Sequence, residues 1–429
     1  MRTTNGSWNR VLGGVAGSIA TVVGGLGTAG LVIGTVAAST VVSWEARAQG
    51  GMARMMSAQM SSSGMAISRR SFDEYSKLLG LTDEQKETAM TLWEGYKEAH
   101  KTATDEMQAK MEGLQEKARD TGDWSVFQKD LPDMQKDYAE KVEKAEKSLV
   151  EDVKATLTPE QLEKWPAIER HRRRDTSLRF GFYSGTALDL IRIVQRQGIN
   201  ANSDESKEVL QQYEMELDNK LMGLVKWGED MRADAFKKAG DMNAQMEFIK
   251  KAGEYSKEVR DVNRRYMTRL AATLDEESKA KFEEEFNKRA YPRIYKDSHT
   301  LEMIKAAEGF SDLNDTQKEA VKTIAEQYKR EATAVNATWA KSQDDAEEKA
   351  GGSMSLMMAQ WMGGSDDVKK AQEELKKKRE ERKEVDDKFA KRLKEALGKE
   401  QTDRLPSKKP TNQDPWDMGF FVEEEGADD

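Results

Sequence analysis

The side chains in this sequence with the most distinctive chemistry carry sulfur. Among 429 residues there are 22 methionines and no cysteine, and nine of the methionines fall in two clusters. Met52, Met55, Met56, Met60 and Met65 form the first; Met354, Met357, Met358 and Met362 form the second, inside a stretch bounded by Gly351 and Gly364. Thioethers are soft donors suited to Cu(I), and an oxidising compartment without cysteine would favour methionine for that metal. The same flexible side chains also suit an adaptable surface for varied apolar partners. A segment with neither role is the third reading.

A basic run stands at Arg170-His171-Arg172-Arg173-Arg174, with Arg179 nearby. Such a run can attract acidic clients, an anionic lipid surface or a polyanion. Its alternative is a solvated linker that pairs with Glu-rich helices. The three histidines, His100, His171 and His299, are too scattered to suggest a metal site. No Gly-rich phosphate loop, Ser/His/Asp set or His-rich metal motif is visible, and carboxylates are so frequent that no acid–base pair stands out. The expectation is a protein that is not an enzyme and needs no cofactor.

Helices must position these residues. Charged residues make up 34% of the chain, and beyond the first fifty positions it is rich in Glu, Lys, Ala, Met and Gln, all strong helix formers. Proline occurs 7 times, and strand-like runs of Val, Ile and Thr end with the N-terminal segment. These features predict an all-α protein with long, thin amphipathic helices. Without cysteine no disulfide framework can form, so helix packing must supply the stability.

The N-terminus reads as a targeting segment. Arg2 and Arg10 precede an almost uncharged stretch from Val11 to Trp44, and Ala46-Arg47-Ala48 follows as a small-x-small site. Residues 1–48 are therefore expected to be a signal peptide cleaved after Ala48, or an uncleaved anchor spanning a membrane through residues 11–44. Either way the remainder is exported. Cleavage would leave 66 basic against 77 acidic residues, which argues against nucleic acid as a partner. Residues 49–67 read as a flexible leader and 406–429 as a disordered acidic tail, with Trp416, Phe420 and Phe421 as a conceivable docking motif.

Between these ends one phrase repeats. Leu-Thr-x-x-Gln occurs at Leu81, Thr82 and Gln85 and again at Leu157, Thr158 and Gln161. Degraded copies start at Leu274, at Leu313 with Gln317, and at Leu397 with Gln401. Stepping back by four from Leu157, Leu274 and Leu397 gives Val153, Leu270 and Leu393, then Leu149, Tyr266 and Phe389. This spacing describes one buried face of a long helix, three times in register. A glycine and an apolar residue precede each first motif, at Gly80-Leu81, Gly198-Ile199 and Gly309-Phe310, as in a helix closed by a left-handed glycine. Three tandem modules follow, at 68–175, 176–296 and 297–405, each a long antiparallel helical hairpin with short flanking helices. In each motif the threonine and glutamine make a capping box, and the leucine suits a hydrophobic staple. The motif is thus a helix start, and any function must reside on the faces and tips between motifs.

Paired Leu-Thr-x-x-Gln phrases flanking a helical hairpin resemble the Spy and CpxP group of bacterial periplasmic stress proteins. The resemblance covers about 80–405 as three family-like units, with both motifs intact only in the first. It implies ATP-independent chaperoning by a thin helical cradle, or envelope-stress sensing, with clients captured on a basic, partly apolar face. The expected function is binding of non-native or envelope proteins through amphipathic helix faces. A structural scaffold of the envelope and methionine-based copper binding are the alternatives.

Overall fold

A computed structural model describes residues 67–123, 125–178, 181–235 and 242–407, with some side chains inside these spans excepted. The signal segment, nearly all of the leader, Arg179, the Gly240-Asp241 tip and the aromatic tail lie outside the described residues. So does the anchor considered at 11–44.

Helix starts follow the local chemistry. α1 (Arg69–Leu79) is capped by Ser68, whose Oγ accepts from the Ser71 N–H at 3.1 Å, and it stops at Gly80 with φ +67°. α2 (Asp83–Thr121) begins on the Thr82–Gln85 capping box. At 39 residues it is about 58 Å long at 1.5 Å per residue. α3 (Ser125–Ala155) returns beside it. α4 (Pro159–Leu162) starts on the Thr158–Gln161 box with proline in its first turn, and α5 (Trp165–Ser177) follows. Then come α6 (Leu190–Arg196), α7 (Asp204–Ala235), α8 (Met242–Ala271), α9 (Glu276–Ala290), α10 (Pro292–Tyr295) and α11 (His299–Glu308). α12 (Asp315–Ala350), α13 (Ser353–Met362), α14 (Asp366–Ala396) and α15 (Lys399–Asp403) complete the chain. The protein is all-α, with no strand among the described residues.

The chain forms two compact units. The first ends at Arg179 and also takes in Glu214–Lys251; the second is Phe180–Tyr213 with everything from Ala252 onward. The segment expected as a middle module, 176–296, is therefore divided between them.

In the first unit, Trp93 and Tyr96 of α2 cluster with Leu149 and Val153 of α3, and Phe72, Tyr75 and Leu79 of α1 close that end. Met107 and Met111 meet Tyr138 and Val142 further along, and Leu114 and Ala118 meet Val126 near the tip. Ile67, expected in the leader, is 2% exposed, and its carbonyl accepts from the Trp93 indole N–H at 3.1 Å. Ile67 thus packs with the helices that follow it. The segment from Arg170 to Arg174 is not a linker but the body of α5.

In the second unit, Val321, Ile324 and Tyr328 of α12 pack with Phe389 and Leu393 of α14, and Met303, Ile304 and Ala307 of α11 cover them. The buried stripes expected at Tyr266-Leu270 and Phe389-Leu393 are in place. Gly309 differs from expectation. It closes α11 at φ −83°, in the right-handed region, whereas Gly80 and Gly198 are left-handed. Three residues separate Gly309 from Leu313, while Gly80 adjoins Leu81, so the chain has room to leave the helix without a sharp reversal.

Candidate functional site

The two intact motifs come together in space. The Gln85 amide donates to Gln161 Oε1 at 2.8 Å, and the Gln161 amide donates back to Gln85 Oε1 at 2.9 Å. Each Oε1 also accepts from the N–H of its own cap, Thr82 or Thr158, at 3.0 Å. Each amide further donates to the carbonyl just before the other motif, Thr156 at 2.9 Å and Gly80 at 3.2 Å. Two helix starts are thus locked into one reciprocal clasp at the foot of the hairpin, and every polar group of both amides is used.

The α12–α14 hairpin repeats the clasp. Gln317 donates to Gln401 at 2.8 Å, Gln401 returns at 3.4 Å, and the Gln401 amide also reaches the Asp312 carbonyl at 3.3 Å. Asn314 replaces threonine as a full cap. Gly398 supplies only its N–H, at 2.8 Å from Gln401 Oε1. At the start of α7, Ser206 is too short for reciprocity and meets the Thr273 hydroxyl at 2.8 Å. Leu81, Leu313 and Leu397 are buried, as a staple requires, and Leu157 is partly so.

The basic run is neutralised within the first unit. Arg173 makes a bidentate pair with Asp218 of α7 at 2.7 and 3.0 Å. Arg174 and Arg170 both pair with Glu214, at 2.7 and 3.2 Å. Arg172 bonds Glu146 of α3, and Glu169 at 3.1 Å. His171 sits between Glu74 at 3.1 Å and Asp175 at 3.3 Å, edge-on to the Tyr75 ring. Burial works against its charge, but the two carboxylates prevail and raise its pKa to about 9. These cations serve packing between helices and offer no open basic face. Arg179 lies outside the described residues.

The methionine cluster forms a helix of its own. α13 turns Leu356 and Ala359 into a small core with Ala346, Val368 and Ala371 of the α12–α14 hairpin. Met354, Met357 and Met358 are half-buried on the opposite side. The side chain of Met362 lies outside the described residues. The Ser353 N–H and hydroxyl both donate to the Phe182 carbonyl, at 2.6 and 2.9 Å, and Gln372 holds the Leu356 carbonyl at 3.1 Å.

Two polar networks go beyond what the motifs suggest. The segment 181–189 is anchored to α12 by Glu347, which accepts from the Ser184 N–H at 2.8 Å and its hydroxyl at 2.7 Å. Burial pushes the Glu347 carboxyl up, against the pull of those bonds. Asp344 beside it takes Arg264 and the Tyr291 hydroxyl at 2.9 Å. Asn263, fully buried, donates to the carbonyls of Gly185, Thr186 and Leu188. Inside the α12–α14 hairpin, Arg382 bonds Asn336 at 2.9 Å and Tyr328 at 2.7 Å and pairs with Asp386. Arg382 and Asp386 lie near the stripe of Phe389 and Leu393, the one sequence signal that could have marked them. Each network is closed on itself and holds backbone or helices in place.

Large exposed hydrophobic side chains are few among the described residues: Leu78, Leu162, Met215 and Met222, all in the first unit. A void of about 20 Å³ in that unit, beside Tyr75 and Trp165, has room for a single water at most. No described helix is long and apolar enough to cross a membrane. The chain matches no protein-family model, and comparison with curated proteins and with solved structures finds no match either.

Proposed function

We propose that this chain is an exported, nucleotide-independent helical protein of the Spy/CpxP kind that binds non-native or partner proteins of the bacterial envelope. The reciprocal glutamine clasp carries this reading, because it gives the paired motifs a single shared role in closing the foot of a hairpin. The clasp leaves the helix faces free for contact.

Contact would fall on the first unit. Leu78 and Leu162 end the two helices that adjoin the clasp, and Met215 and Met222 lie seven residues apart on α7. Each is between 41% and 49% exposed. Covering the rest of one such side chain contributes about 1 kcal/mol. Several together give the weak, reversible grip that delays aggregation without trapping a client. A scaffold is the second reading, favoured by α14, where Lys388–Glu331 and Lys378–Glu381 pairs sit among otherwise charged surface residues.

The test is aggregation of several unrelated unfolded proteins with equimolar full-length chain, compared with a Leu78→Gln/Leu162→Gln/Met215→Gln/Met222→Gln variant. Delay by the wild type, and a several-fold higher requirement for the variant, is expected. If the wild type delays none of them and a pull-down returns one stoichiometric partner, the scaffold reading replaces it.

A further inference from the structure

We propose that Met354, Met357 and Met358, half-buried on the side of α13 away from Leu356, form a thioether site for Cu(I). The helix lies in a stretch of fourteen residues, 351–364, with no ionisable side chain, in a chain where 34% of residues are charged. The inward positions are Leu356 and Ala359, packed on the hairpin, while the described methionines share the other side at i, i+3 and i+4. By sequence spacing Trp361 and Met362 continue that register.

Leucine matches methionine in size and helix propensity, so three methionines here add sulfur without adding bulk. Replacing carbon by sulfur matters for a soft cation. Side chains at i, i+3 and i+4 have Cβ atoms about 5–6 Å apart. Three rotatable bonds in each methionine then let the thioethers converge on one ion. Among the described residues no group of three or more His, Cys, Asp or Glu is placed to hold a metal, so harder ligands offer no competing site there. Soft thioethers select Cu(I) over Zn(II) or Mg(II), and they do not protonate.

The mounting suits a site. Gly352 has φ +119°, and its N–H donates to the Glu347 carbonyl at 2.7 Å, while Ser353 holds Phe182. α13 is therefore fixed at its first turn and along the face that carries Leu356.

The experiment uses full-length chain carrying methyl-13C methionine, titrated anaerobically with Cu(I) against a chromogenic Cu(I) chelator, with Ag(I) as a redox-inert parallel. The Met354→Leu/Met357→Leu/Met358→Leu variant, which keeps apolar volume, is titrated alongside. The wild type should retain one more equivalent than the variant, and the methyl signals of the three residues should shift together by one equivalent. Zn(II) should move none of them. Equal retention in both proteins, or shifts no larger than those of buried Met107 and Met303, overturns the proposal. The wild-type signals decide the matter even if the variant fails to fold.

Discussion

Gln85 and Gln161 stand 76 residues apart in the chain and exchange side-chain amide hydrogen bonds at 2.8 and 2.9 Å. Each also completes the cap of its own helix, so losing one loosens two helix starts. A Gln85→Ala or Gln161→Ala change should cost about 1–3 kcal/mol, because a half-buried carbonyl and amide lose partners. The double variant should cost less than the sum, by about 0.5–2 kcal/mol, as expected for residues in one network. Native-state hydrogen exchange of the amides in the first turns of α2 and α4 reads this directly. Strict additivity would show that the two capping boxes act independently.

His171 makes the first unit sensitive to alkaline pH. It faces Glu74, Tyr75, Arg174 and Asp175, and its pKa of about 9 lies above the ordinary histidine value of 6.5. The folded form therefore holds its proton more tightly than the unfolded chain. The resulting stabilisation is complete below pH 6.5 and lost as pH rises through 9. On the order of 2 kcal/mol is at stake. Urea unfolding at about pH 6.5 and about pH 9 should show a drop for the wild type that is markedly smaller for His171→Gln. An equal drop in both would place the effect elsewhere.

Gly352 is closely hemmed in within the second unit. A Cβ there would lie 2.8 Å from the Phe182 carbonyl oxygen, and its φ of +119° is one that side chains rarely adopt. Gly352→Ala should lower stability by about 1–3 kcal/mol and speed exchange in α13 and in segment 181–189. Gly363→Ala provides the control. That glycine also has positive φ, but no atom lies within 4 Å of its added Cβ. A similar loss at both positions would mean backbone strain alone, without the collision.

Local features were readable from the sequence, and long-range ones were not. Capping boxes depend on residues three apart, and the stripes at Leu149-Val153 and Phe389-Leu393 repeat every helical turn, so both were visible. The partner of Gln85 was hidden because nothing local marks which of several glutamines will face it. The arginine run looked open to a ligand for the same reason: Asp218 and Glu214 lie about forty residues on, among dozens of carboxylates. Glu347 gave no signal either. Its burial depends on Ser184, which comes from a segment without regular secondary structure 163 residues away.

The pairing of Arg173 and Arg174 with Asp218 and Glu214 bears on where this chain can be cut. A fragment ending at residue 175 would keep the carboxylates that hold His171 and Arg172, but it would lose those of α7 that hold Arg170, Arg173 and Arg174. The obvious hairpin is thus not a self-sufficient piece: its last helix is completed by charge that arrives about forty residues later in the chain.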